Sequence, residues 1–419
     1  MKPVFIAASP NTEKDDLNLA LKLLFQPWNW RKNDGSVKDF EIEMSEYLGG
    51  INAIALDSAR SGFYLLLKAY GIGPGDEVIL PSFSCLVIAN PVLWVGAKPV
   101  YVDINKRTLN IDLEDLSRKL SPKTKAVLVQ HTFGLPVEMD KVRNIVGEKV
   151  KIVEDIAHSL GGEYKGKKIG TIGDAAVATF GIEKVISTVR GGMILTKDDK
   201  IAEGLRKEQL KLPEFSFVRI KTALLNPVLW WIITPFYYLG FGKYTIGKAF
   251  SYFAHKIGIM GIMIESEEYN AQKPNWLPSR MPSALARLGK RQLSKIDPFN
   301  EHRREIAKIY SDILGIKFPV DDNSVNIFLR FPVLVDPQKR AEIIKEAGKK
   351  HIVLGNWYRS ILFAPDSSLK NLGYKKGDTP NAEWAAERIV NLPTGINVFP
   401  TKAELLVTEV VKKEKVISV

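Results

Sequence analysis

The run TFGIEKVISTVRGGMIL, residues 179–195, places one lysine, Lys184, between two short apolar stretches, in what reads as a turn between strands. Such a lysine is either a solvated surface charge or, with its pKa depressed by burial or by cationic neighbours, a nucleophile. Two other groups bear on the choice. Asp155 closes the apolar stretch KIVEDI (151–156), which runs into AHSLGG. A lone aspartate there is ordinarily a helix cap or a surface acid. Here it accompanies Lys184 and a third element: DSARSG (57–62) is small and polar and opens a helical pattern. Free backbone N–H groups and short hydroxyls at a helix start make a phosphate cradle. An amine for a Schiff base, a carboxylate that keeps a ring nitrogen protonated and a phosphate cradle are together what pyridoxal phosphate requires. Nothing in this reading calls for a metal.

These groups need elements that bring them together. From about residue 50 to 200 short apolar runs alternate with helix-like stretches. AIAL (53–56), EVIL (77–80), PVYVDI (99–104), KAVLVQH (125–131) and KIVEDI (151–156) read as strands; SGFYLLLKAY (61–70) and IDLEDLSRKL (111–120) read as helices. Near-continuous apolar strands alternating with helices predict a parallel sheet covered on both faces. Ligands bind such sheets at the carboxyl ends of the strands, where Asp57, Ser58, His131, Glu154 and Asp155 fall. After residue 280, residues 284–314 read as one long amphipathic helix, 326–335 as a strand, 382–393 as a helix that stops at Pro393, and the last residues as one more helix. The chain divides into an N-terminal segment with a large domain (1–200), a helical insertion (201–275) and a small C-terminal α/β domain (276–419).

With 419 residues, 45% hydrophobic and 25% charged, the chain is globular and long enough for two subdomains. Its one cysteine, Cys85, leaves no intrachain disulfide and suggests a reducing compartment. The N-terminus lacks a charged-then-apolar signal pattern, so the expected location is cytoplasmic. A net charge of +12 favours acidic partners such as phosphates, nucleotides or anionic lipid heads. The basic residues are scattered and no nucleic-acid-binding signature is present, so nucleic acid is not an expected partner.

The insertion has its own character. Between Phe215 and Ile264 there is no acidic residue but there are five Lys or Arg, around the apolar, aromatic run ALLNPVLWWIITPFYYLGFG. Pro227 and Pro235 argue against one straight spanning helix. Two readings stand: a helical insertion packed on the core or a second subunit, and a peripheral membrane contact through 216–262 at the inner face, with aromatics in the interface and basic flanks on anionic lipid.

The segments GPGDEVILPSFS (73–84), GAKPVYVDIN (96–105), LSPKTKAVLV (120–129), VEDIAHSLGGEYKGKKIGTIGD (153–174) and NAEWAAERIVNLP (381–393), in that order and spacing, resemble the DegT/DnrJ/EryC1/StrS family. These are sugar aminotransferases among the fold-type I pyridoxal phosphate enzymes. The resemblance covers most of the chain outside 201–270. It implies an α/β fold with a large, mainly parallel sheet domain, a smaller C-terminal α/β subdomain, and a homodimer. Residue by residue, Lys184 would form the Schiff base and then shuttle a proton, and Asp155 would pair with the pyridinium nitrogen. Ser58, Ala59 and Arg60 would hold phosphate through backbone amides. Thr179 stands where the family has a phosphate-binding serine, and His158 where it has a glutamine near the ring hydroxyl. The chain departs from the family at Cys85, where an aromatic usually stacks on the ring, and Phe83 is the candidate to replace it. It also departs at Arg190, in place of an acid, and around Pro278, where an asparagine is missing and Arg280 survives.

The activity implied is transfer of an amino group from glutamate to a nucleotide-linked keto-sugar, for surface polysaccharide or amino-sugar biosynthesis. Two other readings compete. A sugar dehydratase of the same family would carry histidine at the lysine position, and Lys184 argues against it. A binding or regulatory homologue that has lost catalysis is motivated by Cys85, Arg190 and Pro278, and retention of Lys184 and Asp155 weighs against it.

Overall fold

Short, almost wholly buried apolar stretches pair into the central sheet of the computed structural model, which describes residues 3–6, 11–241, 244–256, 258–260 and 263–417. Its strands are β1 (Asn52–Leu56), β2 (Glu77–Pro81), β3 (Lys98–Val102), β4 (Thr124–Gln130), β5 (Lys151–Asp155), β6 (Ala175–Thr179) and β7 (Gly192–Thr196). They lie in the order β1-β7-β6-β5-β4-β2-β3. β7 runs antiparallel to both neighbours, and the other pairings are parallel. One edge therefore gathers the carboxyl ends of every strand but β7, together with the amino end of β7.

Strand periodicity supplies both faces. Val78, Leu80, Leu128, Val153 and Ile194 pack into one apolar cluster, and their alternates Ile79, Val127, Val129 and Ile152 into another. Helix α1 (Ala59–Ala69) follows β1 directly. Ser58 caps it by accepting from Ser61 N–H, so the helix amino end stands at the functional edge.

The C-terminal unit pairs β8 (Arg330–Leu334) antiparallel with β9 (Ile389–Pro393) and buries its own apolar cluster around Ile306, Tyr310, Phe331 and Val390. Here the structure corrects several sequence expectations. Residues 382–393 are not one helix: the helix Pro380–Arg388 ends, and 389–393 is strand β9. Its partner β8 lies far back in the chain, so no local pattern reveals the pairing. The 284–314 helix is two, Ser283–Leu293 and Ile296–Leu314. Pro298 has no N–H to bond the carbonyl of residue 294, so it is tolerated only in a new first turn. The strand expected over 326–335 narrows to 330–334, and the final helix is Pro400–Leu405 followed by a wider turn over Leu406–Val411.

The insertion contains α2 (Phe217–Ile233), with Pro227 inside it, and α3 (Ile246–Lys256). The two are joined by a turn at Thr234–Phe236 and the short strands Gly240–Phe241 and Tyr244–Thr245. Among the described residues no helix is long and apolar enough to cross a membrane.

The loop from β6 to β7 carries Lys184. Its neck is closed by Phe180 N–H to Gly191 O (2.9 Å), Thr188 N–H to Phe180 O (2.9 Å) and a bridge from Ser58 to Gly191. At the neck the strand presses on the start of α1: a Cβ on Gly192 would lie 2.1 Å from Ala59 N and 2.2 Å from the Ser58 carbonyl carbon. Both atoms are backbone, so neither can swing aside. Gly192→Ala is expected to cost about 3 kcal/mol in urea unfolding. A loss below about 0.5 kcal/mol, the range of an indifferent surface change, would show that this contact is not tight.

Candidate active site

Asp57, Ser58, Ala59, Arg60, Cys85, Asp155, His158, Thr179 and Lys184 all line one cavity of about 270 Å³ at the functional edge. They come from the ends of β1, β2, β5 and β6 and from the loop before β7, so the sheet brings together groups far apart in sequence. Larger clefts lie elsewhere. One of about 740 Å³ lies between Arg31, Glu41, Arg206 and Arg280, and contains neither the buried lysine nor the aspartate.

Lys184 is enclosed. Burial lowers its pKa to about 8, against the pull of Asp155 and with the push of Arg330. Its Nζ stands 4.3 Å from the centroid of the Trp357 ring. The loop beneath it is braced from three sides. Asn11 Nδ2 donates to the carbonyls of Lys184 (2.6 Å) and Val185 (2.9 Å). Arg303, itself buried, donates from Nη2 to Val185 O and Asn11 Oδ1, both at 2.9 Å. Gln292 accepts from Ser187 N–H at 3.2 Å and donates to Asn11 O at 3.2 Å.

Asp155 is buried, and burial raises its pKa, while Ala157 N–H (2.9 Å to Oδ1), Lys184 and His131 pull it down. The neighbouring Glu154 points to the other face of the strand, where His131 (3.2 Å) and the backbone N–H groups of Gly170, Ile172 and Gly173 take it up. His158 Nδ1 accepts the Phe133 N–H at 3.2 Å, so its proton sits on Nε2 and faces Tyr358 Oη at 3.2 Å. Burial, with Lys184 and Arg330 nearby, holds His158 well below the usual histidine range, so the ring is neutral.

The phosphate cradle is built differently from a bare loop. The Ser58 hydroxyl is taken up by Asp57 Oδ2 at 2.9 Å. Asp57 also accepts from Ser279 N–H (2.7 Å) and Ser61 (3.0 Å), and burial raises its pKa to about 6. What remains for an anion is the backbone at the amino end of α1 and the hydroxyl of Thr179, which lies 3.5 Å from Gly191 O. The Arg60 side chain turns to Glu268 and to the carbonyl of Met263 (2.6 Å).

One expectation fails. Phe83 does not line the cavity: it is wholly buried behind it, edge-on to Tyr358 at 5.5 Å and to Phe133 at 6.4 Å. In an extended chain, alternate side chains point opposite ways. That alternation breaks here: the chain bends at residues 82–84, which brings both Ser84 and Cys85 to the cavity and leaves Phe83 in the core.

Aromatic surface comes instead from Trp357 and Tyr358, which the motif reading missed. Trp357 lies nearly parallel to His158 at 5.2 Å and has the Arg330 guanidinium 3.3 Å from its centroid. Arg330 pairs with Glu183, beside the lysine. Also missed were Glu265 and Glu268. Glu265 lies 3.9 Å from Arg190 and 3.6 Å from Arg219, and Glu268 grips Arg60. WYR at 357–359 is an aromatic pair beside a cation and ESEE at 265–268 ends the acid-free stretch, but neither pattern says which distant residue it meets. Arg280 is not in the cavity; it reaches Glu214 at 3.3 Å.

These residues fit pyridoxal phosphate. The buried Asp155 offers a carboxylate to a ring N–H, the half-buried Lys184 lines the same space, and the backbone cradle closes so tightly at Gly192 that no Cβ fits.

The comparisons point the same way. The sequence model of the DegT/DnrJ/EryC1/StrS aminotransferase family matches residues 11–219 and 260–411. The chain is 30% identical to the spore coat polysaccharide biosynthesis protein SpsC of Bacillus subtilis, over 91% of this chain and 90% of that one. It is 36% identical to GDP-perosamine synthase of Caulobacter vibrioides, over 49% and 55%. The aminotransferase from Psychrobacter cryohalolentis has the same fold, with a TM-score of 0.73 at 19% identity over 95% of both chains.

The depressed lysine has a stability signature. With a folded pKa of about 8 against 10.5, the fold disfavours the protonated amine. The penalty is complete below pH 8 and is relieved as pH rises towards 10.5. The cofactor-free Lys184→Met variant is therefore expected to be more stable than wild type at neutral pH, by on the order of 2–3 kcal/mol in urea unfolding. The two curves should converge through that window, and a variant less stable at neutral pH would contradict the assignment.

Proposed function

The chain belongs to the DegT/DnrJ/EryC1/StrS aminotransferase family, and from that premise we propose that it uses pyridoxal phosphate to move an amino group from glutamate to a nucleotide-linked keto-sugar, for surface polysaccharide or amino-sugar biosynthesis. The observation that carries the proposal is the pairing, in one buried cavity, of an amine with a pKa near 8 and an aspartate at the end of β5. The names of the Bacillus and Caulobacter relatives support the sugar end of the reaction. The glutamate donor rests on the family resemblance.

Pyridoxal phosphate, when bound, withdraws electrons from the substrate carbon that must lose its proton. The chain's residues supply the rest. Lys184 Nζ takes that proton and returns it. A pKa near working pH suits a group that must act as base and then as acid. Asp155 keeps a facing ring nitrogen protonated; its burial strengthens that one charge–charge contact. The amino end of α1 and Thr179 hold the phosphate. Neutral His158, with one ring nitrogen on Phe133 N–H and the other facing Tyr358, adds no positive charge next to Lys184. The Trp357 ring covers one side of the amine.

Purified protein supplied with pyridoxal phosphate is expected to show a visible absorption band that bleaches on adding glutamate. Lys184→Ala should bind the cofactor without that band. A wild type that shows no band at any cofactor concentration would overturn the aminotransferase reading and favour a binding protein.

A further inference from the structure

The face formed by α2, its following turn and α3 gathers exposed apolar side chains. Trp231, Ile232, Phe236, Leu239, Ile246 and Phe253 are all about half exposed or more. They belong to one local unit. Ile246 N–H bonds Leu239 O (2.9 Å), Gly247 N–H bonds Tyr237 O (3.2 Å), and a Cβ on Gly247 would lie 2.4 Å from Tyr237 Cα. In α3 the arrangement is inverted relative to a helix packed on a core: small Gly247 and Ala254 are buried, while Ile246, Tyr252 and Phe253 face outward beside Lys248 and Lys256. The family match leaves out residues 220–259, so this face is an addition to the shared framework, not part of it.

We propose that this face docks on the surface of an anionic lipid bilayer, with the aromatic and aliphatic side chains in the headgroup region and the lysines against phosphate. The charge decides between possible occupants. From Phe215 to Ile264 the sequence has no acidic residue; Arg219 turns to Glu265 and Trp276, and the exposed Lys248 and Lys256 of α3 carry the charge of this face. A second copy docked by two-fold symmetry would set this basic face against itself, with no carboxylate in the segment to offset it. An anionic lipid surface complements it, at about 1 kcal/mol per basic residue near the membrane. Exposed apolar side chains flanked by lysines are the pattern of a helix lying in the interface. No described helix can span, so the contact is peripheral. The chain leaving α3 leads to Met263 and Ile264, which line the candidate cavity, so the docking surface and the site are neighbours along the chain.

The test is flotation of the full-length protein with vesicles of phosphatidylcholine alone and of phosphatidylcholine with phosphatidylglycerol. The protein should float with the anionic vesicles and not with the neutral ones, and high salt should release it. Lys248→Glu with Lys256→Glu should weaken binding by at least about tenfold. Trp231→Ser, Phe236→Ser and Phe253→Ser together should abolish it with unchanged thermal unfolding. Wild type that stays at the bottom with anionic vesicles, equal binding to both vesicles, or charge-reversed protein that floats like wild type would overturn the proposal. If wild type does not float but the serine variant falls from dimer to monomer on size exclusion, the face belongs to a second copy.

Discussion

Protonating an amine shielded from bulk water costs free energy, and the site rests on that cost. Lys184 is partly buried, with the Arg330 cation and the Asp155 carboxylate both acting on it, and desolvation outweighs the carboxylate. The resulting pKa near 8 turns an ordinary lysine into a usable base and nucleophile. Holding it there requires a loop that cannot relax to let the amine escape to solvent. That explains why Asn11 from near the amino end, and Gln292 and Arg303 from two consecutive helices, converge on the backbone of residues 184–187. Arg303 is buried and held by neutral oxygens, and this burial lowers its own pKa to about 9. The fold thus carries a second uncomfortable cation whose hydrogen bonds hold the first in place.

The sheet turns this local strain into a site. Because β7 alone runs antiparallel, the loop between β6 and β7 returns across the same edge at which β1 hands over to α1. Gly191 and Gly192 let the strand come against Ser58 and Ala59, so the lysine loop and the phosphate cradle share one backbone seam. Asp155 sits on the neighbouring strand β5, with its paired neighbour Glu154 turned to the opposite face. Cradle, carboxylate and amine therefore have fixed relative positions set by strand pairing, not by flexible side chains.

Much of this was legible in the residues. The alternation of apolar runs and helical stretches from 50 to 200 predicted the parallel sheet, and the strand ends predicted its chemical edge. Lys184, Asp155, His158, Thr179, Cys85 and the 58–60 loop do meet in one cavity. What was hidden depends on distance along the chain or on side-chain direction. The β8–β9 pairing joins residues 330–334 to 389–393, so IVNLP read as the tail of a helix. Phe83 was assigned to the cavity because position was known but facing was not. Trp357 and Arg330 come from the C-terminal unit, and nothing near either in sequence says that one cation would rest against the same indole as Lys184. Glu265 and Glu268 were hidden for a similar reason: they answer Arg190 and Arg60 from the far end of the insertion.

The central claim is that the chain presents one chemically distinct lysine to the cofactor. Borohydride reduction of the protein after brief incubation with pyridoxal phosphate, followed by peptide mapping, tests it directly. The pyridoxyl group is expected on the peptide containing Lys184, at near-stoichiometric yield, with other lysines left unmodified. Label spread over exposed lysines, with Lys184 unmodified, would contradict it.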